Sequence, residues 1–266
     1  MSRIVMGQYY PTGSIIHQLD PRVKLMGTIM YITFLLLVNH FVGYVFAAGF
    51  VALLIKVAKI PAMLLFRGLR PVIFILIIAA LINLFFTPGV NVLVQLGPVR
   101  VTMEGVLLAL QMGVRLTLLI VGSGILTLTT SPIELTDGIE FLLKPLKKIK
   151  VPAHDIAMMM TIALRFIPTL ADEMDKIMKA QKARGADFET GGLMKRAKSL
   201  LPILVPLFVS AFKRADELAT AMEARCYRGD ISRTKMKTMK MVARDWAGLF
   251  AMAVFGGVVI LSRVLL

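Results

Sequence analysis

Residues 104–130 read EGVLLALQMGVRLTLLIVGSGILTLTT, and this stretch decides the class of the fold. A helix of this length would extend about 40 Å, which exceeds the hydrocarbon core of a bilayer, about 30 Å thick. The stretch therefore predicts a transmembrane helix. Its one central charge, Arg115, costs about 2.5–3.5 kcal/mol on insertion scales and should face the protein interior. There Arg115 would either position the helix bundle or line a path through it.

Four further apolar runs lie on either side of this stretch. They cover residues 23–38, 41–57, 71–86 and 246–266. Hydrophobic residues make up 57% of the 266-residue chain, whereas about 45–50% is usual in soluble domains. The mean hydropathy is +0.77. We therefore predict an all-α membrane protein with about five transmembrane helices.

The segment between the fourth and fifth predicted spans has a different character. Residues 131–245 hold 21 Lys and Arg against 14 Asp and Glu, and their apolar runs, 156–164 and 200–212, are too short to cross a bilayer. Pro168, Pro202 and Pro206 are expected to kink or end helices here. We predict amphipathic helices outside the membrane core. The chain then divides into an N-terminal segment with four spans (1–130), a cytoplasmic helical coupling region (131–240) and a last span (241–266).

Basic residues predict the orientation, because short loops rich in Lys and Arg stay in the cytoplasm. The loop between the second and third predicted spans carries Lys56, Lys59, Arg67 and Arg70. The loop after the first span carries no basic residue, and the loop after the third carries Arg100 alone. The pattern predicts a multi-pass protein of the cell membrane. Its N-terminus and its basic segment would lie in the cytoplasm, and its C-terminus outside.

Two stretches of the basic segment repeat at an offset of 41 residues. Residues 175–185 read DKIMKAQKARG, and residues 216–226 read DELATAMEARC. Gly185 can adopt the left-handed conformation that ends a helix, and an arginine in the last turn suits the helix dipole. Small alanines would leave a narrow tip that can enter a groove on another protein, where arginine grips a carboxylate in a bidentate manner. The alternative is a pair of ordinary basic helix ends.

These two stretches, together with the five predicted spans, resemble the T component of energy-coupling factor (ECF) transporters. The hallmark of that family is a pair of Ala-Arg-Gly motifs on cytoplasmic coupling helices. Ala183, Arg184 and Gly185 match the motif fully, whereas the second copy, Ala224-Arg225-Cys226, departs from it at the cysteine. Residues 14–25, SIIHQLDPRVKL, also look like the family's entry into its first helix.

The resemblance implies a subunit that couples energy to transport and performs no chemistry itself. In such transporters two cytoplasmic ATPase subunits bind the coupling helices, so Arg184 and Arg225 would each dock into one ATPase. A separate small membrane protein, of one or several kinds, captures the substrate, usually a vitamin or a transition-metal ion. The chain itself would remain in the lipid membrane and link these partners.

Five methionines precede the first tip, and they are candidates for contact with the substrate-binding protein. They are Met158, Met159, Met160, Met174 and Met178. Methionine is flexible and polarizable, which suits a surface that binds several partners. Ordinary apolar packing is the alternative role.

The sequence lacks the motifs that are typical of ATP-binding proteins, disulfide-bonded proteins and membrane transferases. The sequence has no Gly-x-x-x-x-Gly-Lys-Ser/Thr loop, so another chain would have to bind ATP. A single cysteine, Cys226, excludes an intramolecular disulfide. The acidic cluster at Asp172, Glu173 and Asp175 lacks the second cluster that a membrane transferase needs. We expect no catalytic residue, no cofactor and no metal.

Nucleic-acid binding and a permease role are the two alternatives to the coupling role. Nucleic-acid binding is disfavoured, because the basic residues alternate with acidic ones and the aromatic residues lie mostly in the spans. The main rival is a conventional ABC permease subunit that forms the substrate path itself. That hypothesis predicts substrate binding to this chain and one coupling loop instead of a repeated tip.

Overall fold

The computed structural model describes residues 9–89, 91–96, 99–188, 192–229 and 241–265. These residues form mostly α-helices, and the prediction of an all-α membrane protein is confirmed. The helices are α1 (Pro21–Leu37), α2 (Phe41–Ala58), α3 (Ala62–Leu69), α4 (Ile73–Phe86), α5 (Met103–Thr129), α6 (Pro132–Leu143), α7 (Ala153–Ala183), α8 (Leu193–Ala224) and α9 (Ala243–Leu265). A 3-10 helix, Lys144–Ile149, precedes α7. Strands β1 (Val92–Leu96) and β2 (Val99–Thr102) pair antiparallel before α5.

The chain divides into two compact units. Of the described residues, those between 9 and 139 and those of 241–265 belong to the first unit, and those between 140 and 229 belong to the second unit. The first unit contains α1 to α5 and α9, and the second contains α7 and α8.

Local capping residues set where several helices begin. Asp20 caps α1 by accepting a hydrogen bond from the backbone N–H of Arg22, and Pro21 occupies the first helical position, where no N–H is needed. The hydroxyl of Thr102 caps α5 by accepting from the N–H of Gly105. Ser131 and Glu134 form a reciprocal capping box at the start of α6.

Three helices in the described part of the chain are long and apolar enough to cross a bilayer, namely α2, α5 and α9. Helices α3 and α4, bent by 60° relative to each other, would together count as a fourth crossing. Helix α1, at the position of the first predicted span, has 17 residues. Large apolar side chains on these helices are exposed, including Phe46, Phe74 and Phe250, as expected for surfaces that face lipid.

Helix α5 is the centre of the first unit, where it packs against α1, α2, α3 and α4. Tyr31 from α1 lies against Gly122, at which a Cβ atom would collide with the tyrosine ring. The Tyr31 hydroxyl donates to the carbonyl of Leu118 at 2.9 Å. Gly122 in α5 therefore permits the close approach of the Tyr31 ring from α1. A separate aromatic contact joins α9 to α2, where Phe255 stacks on Phe50 with the ring centroids 4.6 Å apart.

Arg115, the central charge of α5, is bonded within the first unit. Its guanidinium donates to the carbonyl of Val38 at 2.6 Å and to the hydroxyl of Tyr44 at 2.8 Å. The Tyr44 hydroxyl in turn donates to the same carbonyl at 3.0 Å. These bonds tie α5 to the junction between α1 and α2. Of the two roles expected from the sequence, these bonds favour the one that positions the bundle.

Helix α8 in the second unit continues through two prolines. Of the two effects expected for these prolines, ending a helix is excluded, because Pro202 and Pro206 lie inside α8 and Pro168 lies inside α7. Pro206 has no N–H to offer to the carbonyl of Pro202, four residues earlier. The side-chain amide of Gln181 on α7 donates to that carbonyl at 3.5 Å. A neighbouring helix thus satisfies a carbonyl that Pro206 leaves free.

Candidate functional site

The first tip is the C-terminal end of α7. Arg184 is the cap residue, and Gly185 follows it in the left-handed conformation with φ of 86°. The N–H of Ala186 donates to the carbonyl of Gln181 at 3.0 Å, and the N–H of Gly185 donates to that of Lys182 at 3.0 Å. These two bonds define a Schellman motif, which ends a helix sharply. The prediction that Gly185 ends a helix in the left-handed conformation is confirmed.

The second tip, at the end of α8, repeats this geometry although it lacks the glycine. Arg225 is the cap residue, and Cys226 has φ of 55°. The N–H of Tyr227 donates to the carbonyl of Met222 at 3.0 Å, and the N–H of Cys226 donates to that of Glu223 at 2.8 Å. A side chain in this conformation costs about 1–2 kcal/mol. Cys226 therefore replaces the glycine of the Ala-Arg-Gly pattern but keeps the left-handed backbone conformation and the two capping hydrogen bonds.

The six motif residues are all exposed. They are Ala183, Arg184, Gly185, Ala224, Arg225 and Cys226. Each tip offers a guanidinium with five N–H donors beside small side chains. Such an end can enter a groove and bind a carboxylate or a set of carbonyl groups.

Helices α7 and α8 run antiparallel in the second unit. Glu173 and Arg214 form an ion pair with an N–O distance of 3.1 Å. Near the C-terminal end of α7, the side-chain amide of Gln181 donates to the carbonyl of Pro202 in the N-terminal half of α8. Near the N-terminal end of α7, the sulfur of Met158 accepts from the hydroxyl of Tyr227, which follows the C-terminal end of α8, at 3.0 Å. Residue numbers therefore rise along α7 as they fall along α8. The two tips lie at opposite ends of the helix pair.

The Glu173–Arg214 ion pair joins equivalent positions of the sequence repeat. Each residue precedes the arginine of its own tip by eleven positions, a helical distance of about 16 Å. A hydrogen bond from the Ser210 hydroxyl, and next the charge of Arg214, lower the pKa of the Glu173 carboxyl. The contact between equivalent positions gives the pair an approximate two-fold symmetry, with one tip on each side.

The methionines predicted as partner contacts differ in their surroundings. Met159 is 62% exposed and Met174 is also exposed, whereas Met158 accepts the hydrogen bond from Tyr227. Met160 and Met178 are half-buried. Met158 is therefore engaged within the second unit, whereas Met159 and Met174 present exposed apolar surface.

Sequence reasoning identified the apolar run 200–212 but did not assign the exposed surface that this run forms on α8 as a site. Five exposed side chains on this helix form what we name the α8 apolar face. Its members are Leu201, Val205, Phe208, Val209 and Phe212, the last of which is 73% exposed. Their spacing of three and four residues is the signal of one helix face. Two prolines interrupt the run in the sequence and obscured that signal.

Comparison with known proteins identifies the family of this chain. The family model described as CbiQ, Cobalt transport protein, matches residues 12–237. A relative from Clostridium kluyveri, named energy-coupling factor transporter transmembrane protein EcfT, is 54% identical over 98% of this chain and 97% of its own length. Proteins of the same name from Thermosediminibacter oceani and Listeria innocua are 51% and 42% identical, each over 99% of both chains. The chain therefore belongs to the family of transmembrane T components of energy-coupling factor transporters.

Proposed function

We propose that this chain links two cytoplasmic ATPase subunits to a small membrane protein that binds the substrate. One observation carries the proposal. Two exposed Arg-bearing tips have the same backbone geometry and lie at opposite ends of one antiparallel helix pair. A pair of similar ATPase subunits would present two similar grooves to such an element. ATP hydrolysis would take place in these partners.

Each tip would dock through its arginine. Arg184 and Arg225 would lose water on entering a groove, so each would need a carboxylate or carbonyl partner there. Truncating one member of such a desolvated pair costs about 3–5 kcal/mol. The narrow Ala-Arg-Gly or Ala-Arg-Cys end allows the backbone of the partner to approach closely.

The crossing at Glu173 and Arg214 would transmit the motion. When ATP closes the two ATPases, the tips would move together, and the helices would turn about their contact point. The equal separation of the two tips from the crossing, about 16 Å each, would make the two lever arms similar. The movement would then reach the substrate-binding protein in the membrane.

The α8 apolar face would bind the substrate-binding protein, together with Met159 and Met174 of α7. An exposed face of this kind marks an interaction surface. Methionines can adapt to several partners, which suits a coupling subunit shared by several substrate-binding proteins. The substrate would be a vitamin or a transition-metal ion, recognised by that partner. In this arrangement the N-terminus and both tips lie in the cytoplasm and the C-terminus lies outside.

Affinity purification from native membranes tests the proposal. The full-length chain, tagged and solubilised in mild detergent, should bring two ATPase subunits and at least one small membrane protein. The double variant Arg184→Glu with Arg225→Glu should lose the ATPases. A control with the same change of charge, Arg165→Glu with Lys213→Glu, alters exposed residues outside the tips and should retain them.

The same material separates this proposal from the permease hypothesis. If the tip variant recovers the ATPases in wild-type amounts, docking through the arginines is wrong. If the purified chain, free of other membrane proteins, binds a labelled vitamin or metal ion by itself, then it forms the substrate path and the coupling role is wrong.

A further inference from the structure

The first unit contains a cavity of about 320 Å³ between α1, α2, α5 and α9. Its wall is almost entirely apolar, with Val23 and Tyr31 from α1, Phe50 from α2, Ile125 from α5 and Met252 from α9. This volume is within the range of small-molecule sites, about 300–1,000 Å³. A polar substrate would require more hydrogen-bonding groups than this wall offers. The wall instead suits a hydrocarbon chain.

The cavity opens onto the surface of the first unit. Ile15 is 63% exposed and Leu53 is 57% exposed, and both line the cavity. Leu53 lies on α2, one of the helices able to cross the membrane. The opening is thus bordered by apolar side chains on the lipid-facing side of a span. A molecule dissolved in the bilayer can reach the cavity directly.

One end of the cavity carries positive charge. Lys24 is buried there, and its ammonium donates to the carbonyls of His17 and Thr129, both at 2.9 Å. Arg244 is exposed at the same end and donates to the side-chain oxygen of Gln18 at 2.7 Å. Trp246, two residues further along, is 63% exposed, and exposed tryptophan is typical of the boundary between membrane and water. We infer from this neighbour that Arg244 would lie at the level of lipid headgroups.

Two carboxylates near this end are engaged with the backbone. Asp245 accepts from the N–H groups of Asp20 and Val242, both at 2.8 Å. Asp20 accepts from the N–H of Arg22 at 2.9 Å. The carboxylates of Asp20 and Asp245 are buried. A third carboxylate close to Lys24, that of the half-buried Glu134, accepts from the backbone N–H of Ser131 at 3.2 Å. Lys24 is buried, so Arg244 is the exposed charged residue of the cavity wall, and its guanidinium complements an anion.

We propose that this cavity binds one acyl chain of an anionic phospholipid, whose headgroup contacts Arg244. The apolar wall would hold the chain along α1 and α9. The guanidinium would hold a phosphate oxygen, as arginine does in other phosphate sites. A basic pocket between transmembrane helices at the membrane surface is a recognised type of lipid site. The bound lipid would fill the space between α2 and α9 and so stabilise their packing.

Native mass spectrometry of the full-length chain tests this proposal. The purified protein is titrated with phosphatidylglycerol or with phosphatidylcholine of identical acyl chains. Wild type should retain one phosphatidylglycerol molecule in preference to phosphatidylcholine. Ala251→Phe, which fills the cavity from the exposed side of α9, should weaken this binding by about tenfold. Arg244→Gln should weaken phosphatidylglycerol binding by about fivefold and leave phosphatidylcholine unaffected.

Matched controls lie on the same helix. Ala253→Phe places the same ring at an exposed position outside the cavity wall, and Arg263→Gln removes an exposed charge from the other end of α9. Neither control should change lipid binding. Equal retention of both lipids by wild type, or unchanged binding by Ala251→Phe, would overturn the proposal.

A second measurement requires no variant. Phosphatidylglycerol with a photoreactive acyl chain should label the peptides that contain Leu53 and Ala251. Labelling confined to other helices would contradict the proposed site. If Ala251→Phe removes a membrane protein partner while the tightly bound lipid remains, the cavity is a protein interface, and the lipid assignment is wrong.

Discussion

Arg214 on α8 contacts Glu173 on α7 at 3.1 Å, and each lies eleven residues before the arginine of its own tip. The two residues are also equivalent in the 41-residue repeat. The contact therefore fixes where the helices cross and places the tips symmetrically about that point. A helix pair with two equivalent ends is suited to two similar partners.

The ion pair predicts a dependence on pH. The pKa of Glu173 is lower in the folded protein than its usual value of 4.5, with the Ser210 hydrogen bond as the largest cause and Arg214 next. The ionised Glu173 carboxylate therefore stabilises the folded protein fully at pH values above the pKa that Glu173 has in the unfolded chain. This stabilisation is lost as the pH falls through the lower pKa that Glu173 has in the folded protein. A double-mutant cycle of Glu173→Gln and Arg214→Gln, followed by thermal unfolding, should show coupling at pH 7 that weakens below about pH 4.5. Coupling that persisted in acid would exclude the carboxylate as its source.

The left-handed residue of the second tip predicts opposite effects of two substitutions. Cys226→Gly should raise stability by about 1 kcal/mol, because glycine adopts this conformation without strain. Cys226→Val should weaken docking of one ATPase, since a β-branched residue disfavours positive φ. Thermal unfolding and co-purification of the ATPases provide the two measurements. If Cys226→Gly lost an ATPase, the thiol itself would contribute to docking.

The close approach of Tyr31 predicts that Gly122 tolerates no side chain. Gly122→Ala should destabilise the chain by about 1–3 kcal/mol, because the added methyl group overpacks the α1–α5 contact. Gly113→Ala provides the control on the same helix, since a Cβ atom there meets no atom within 4 Å. Thermal unfolding in detergent compares the two variants. Equal melting temperatures would refute the packing argument.

The bonds of Arg115 predict a structural penalty for its removal. Arg115→Met should destabilise the first unit by about 1–3 kcal/mol, because a buried carbonyl and hydroxyl lose a donor. Gln111→Met, one turn earlier on the same face, should have a much smaller effect. Thermal unfolding of both variants in detergent is the measurement. A stable Arg115→Met protein with impaired transport would point instead to a residue that lines a path.

The α8 apolar face predicts selective loss of one partner. Val205→Ser with Val209→Ser should reduce recovery of the small membrane protein and leave the ATPases bound, because the exposed apolar area is lost while both tips are intact. A control pair, Lys213→Ser with Glu217→Ser, changes exposed charged residues of the same helix. Quantitative mass spectrometry of the purified complexes is the measurement. Equal loss of both classes of partner would indicate a general folding defect.

Features that depend on short segments could be predicted from the amino-acid sequence alone. Apolar runs marked the membrane helices, because hydrophobic length is read within a single helix. The Arg184–Gly185 pair marked the first tip, because a C-cap depends on a few consecutive residues. The repeat at an offset of 41 residues then identified the second tip, although Cys226 replaces the glycine there.

Features that depend on contacts between distant residues could not be predicted and required the folded structure. The Glu173–Arg214 pair places the tips at opposite ends of the helix pair, and no local pattern encodes that geometry. Helix α8 continues through Pro206, and Gln181 of another helix donates to the Pro202 carbonyl that Pro206 leaves free. Arg115 finds its partners 71 and 77 residues away along the chain. Each outcome follows from hydrogen bonds between separate helices, whose partners become neighbours only when the chain has folded.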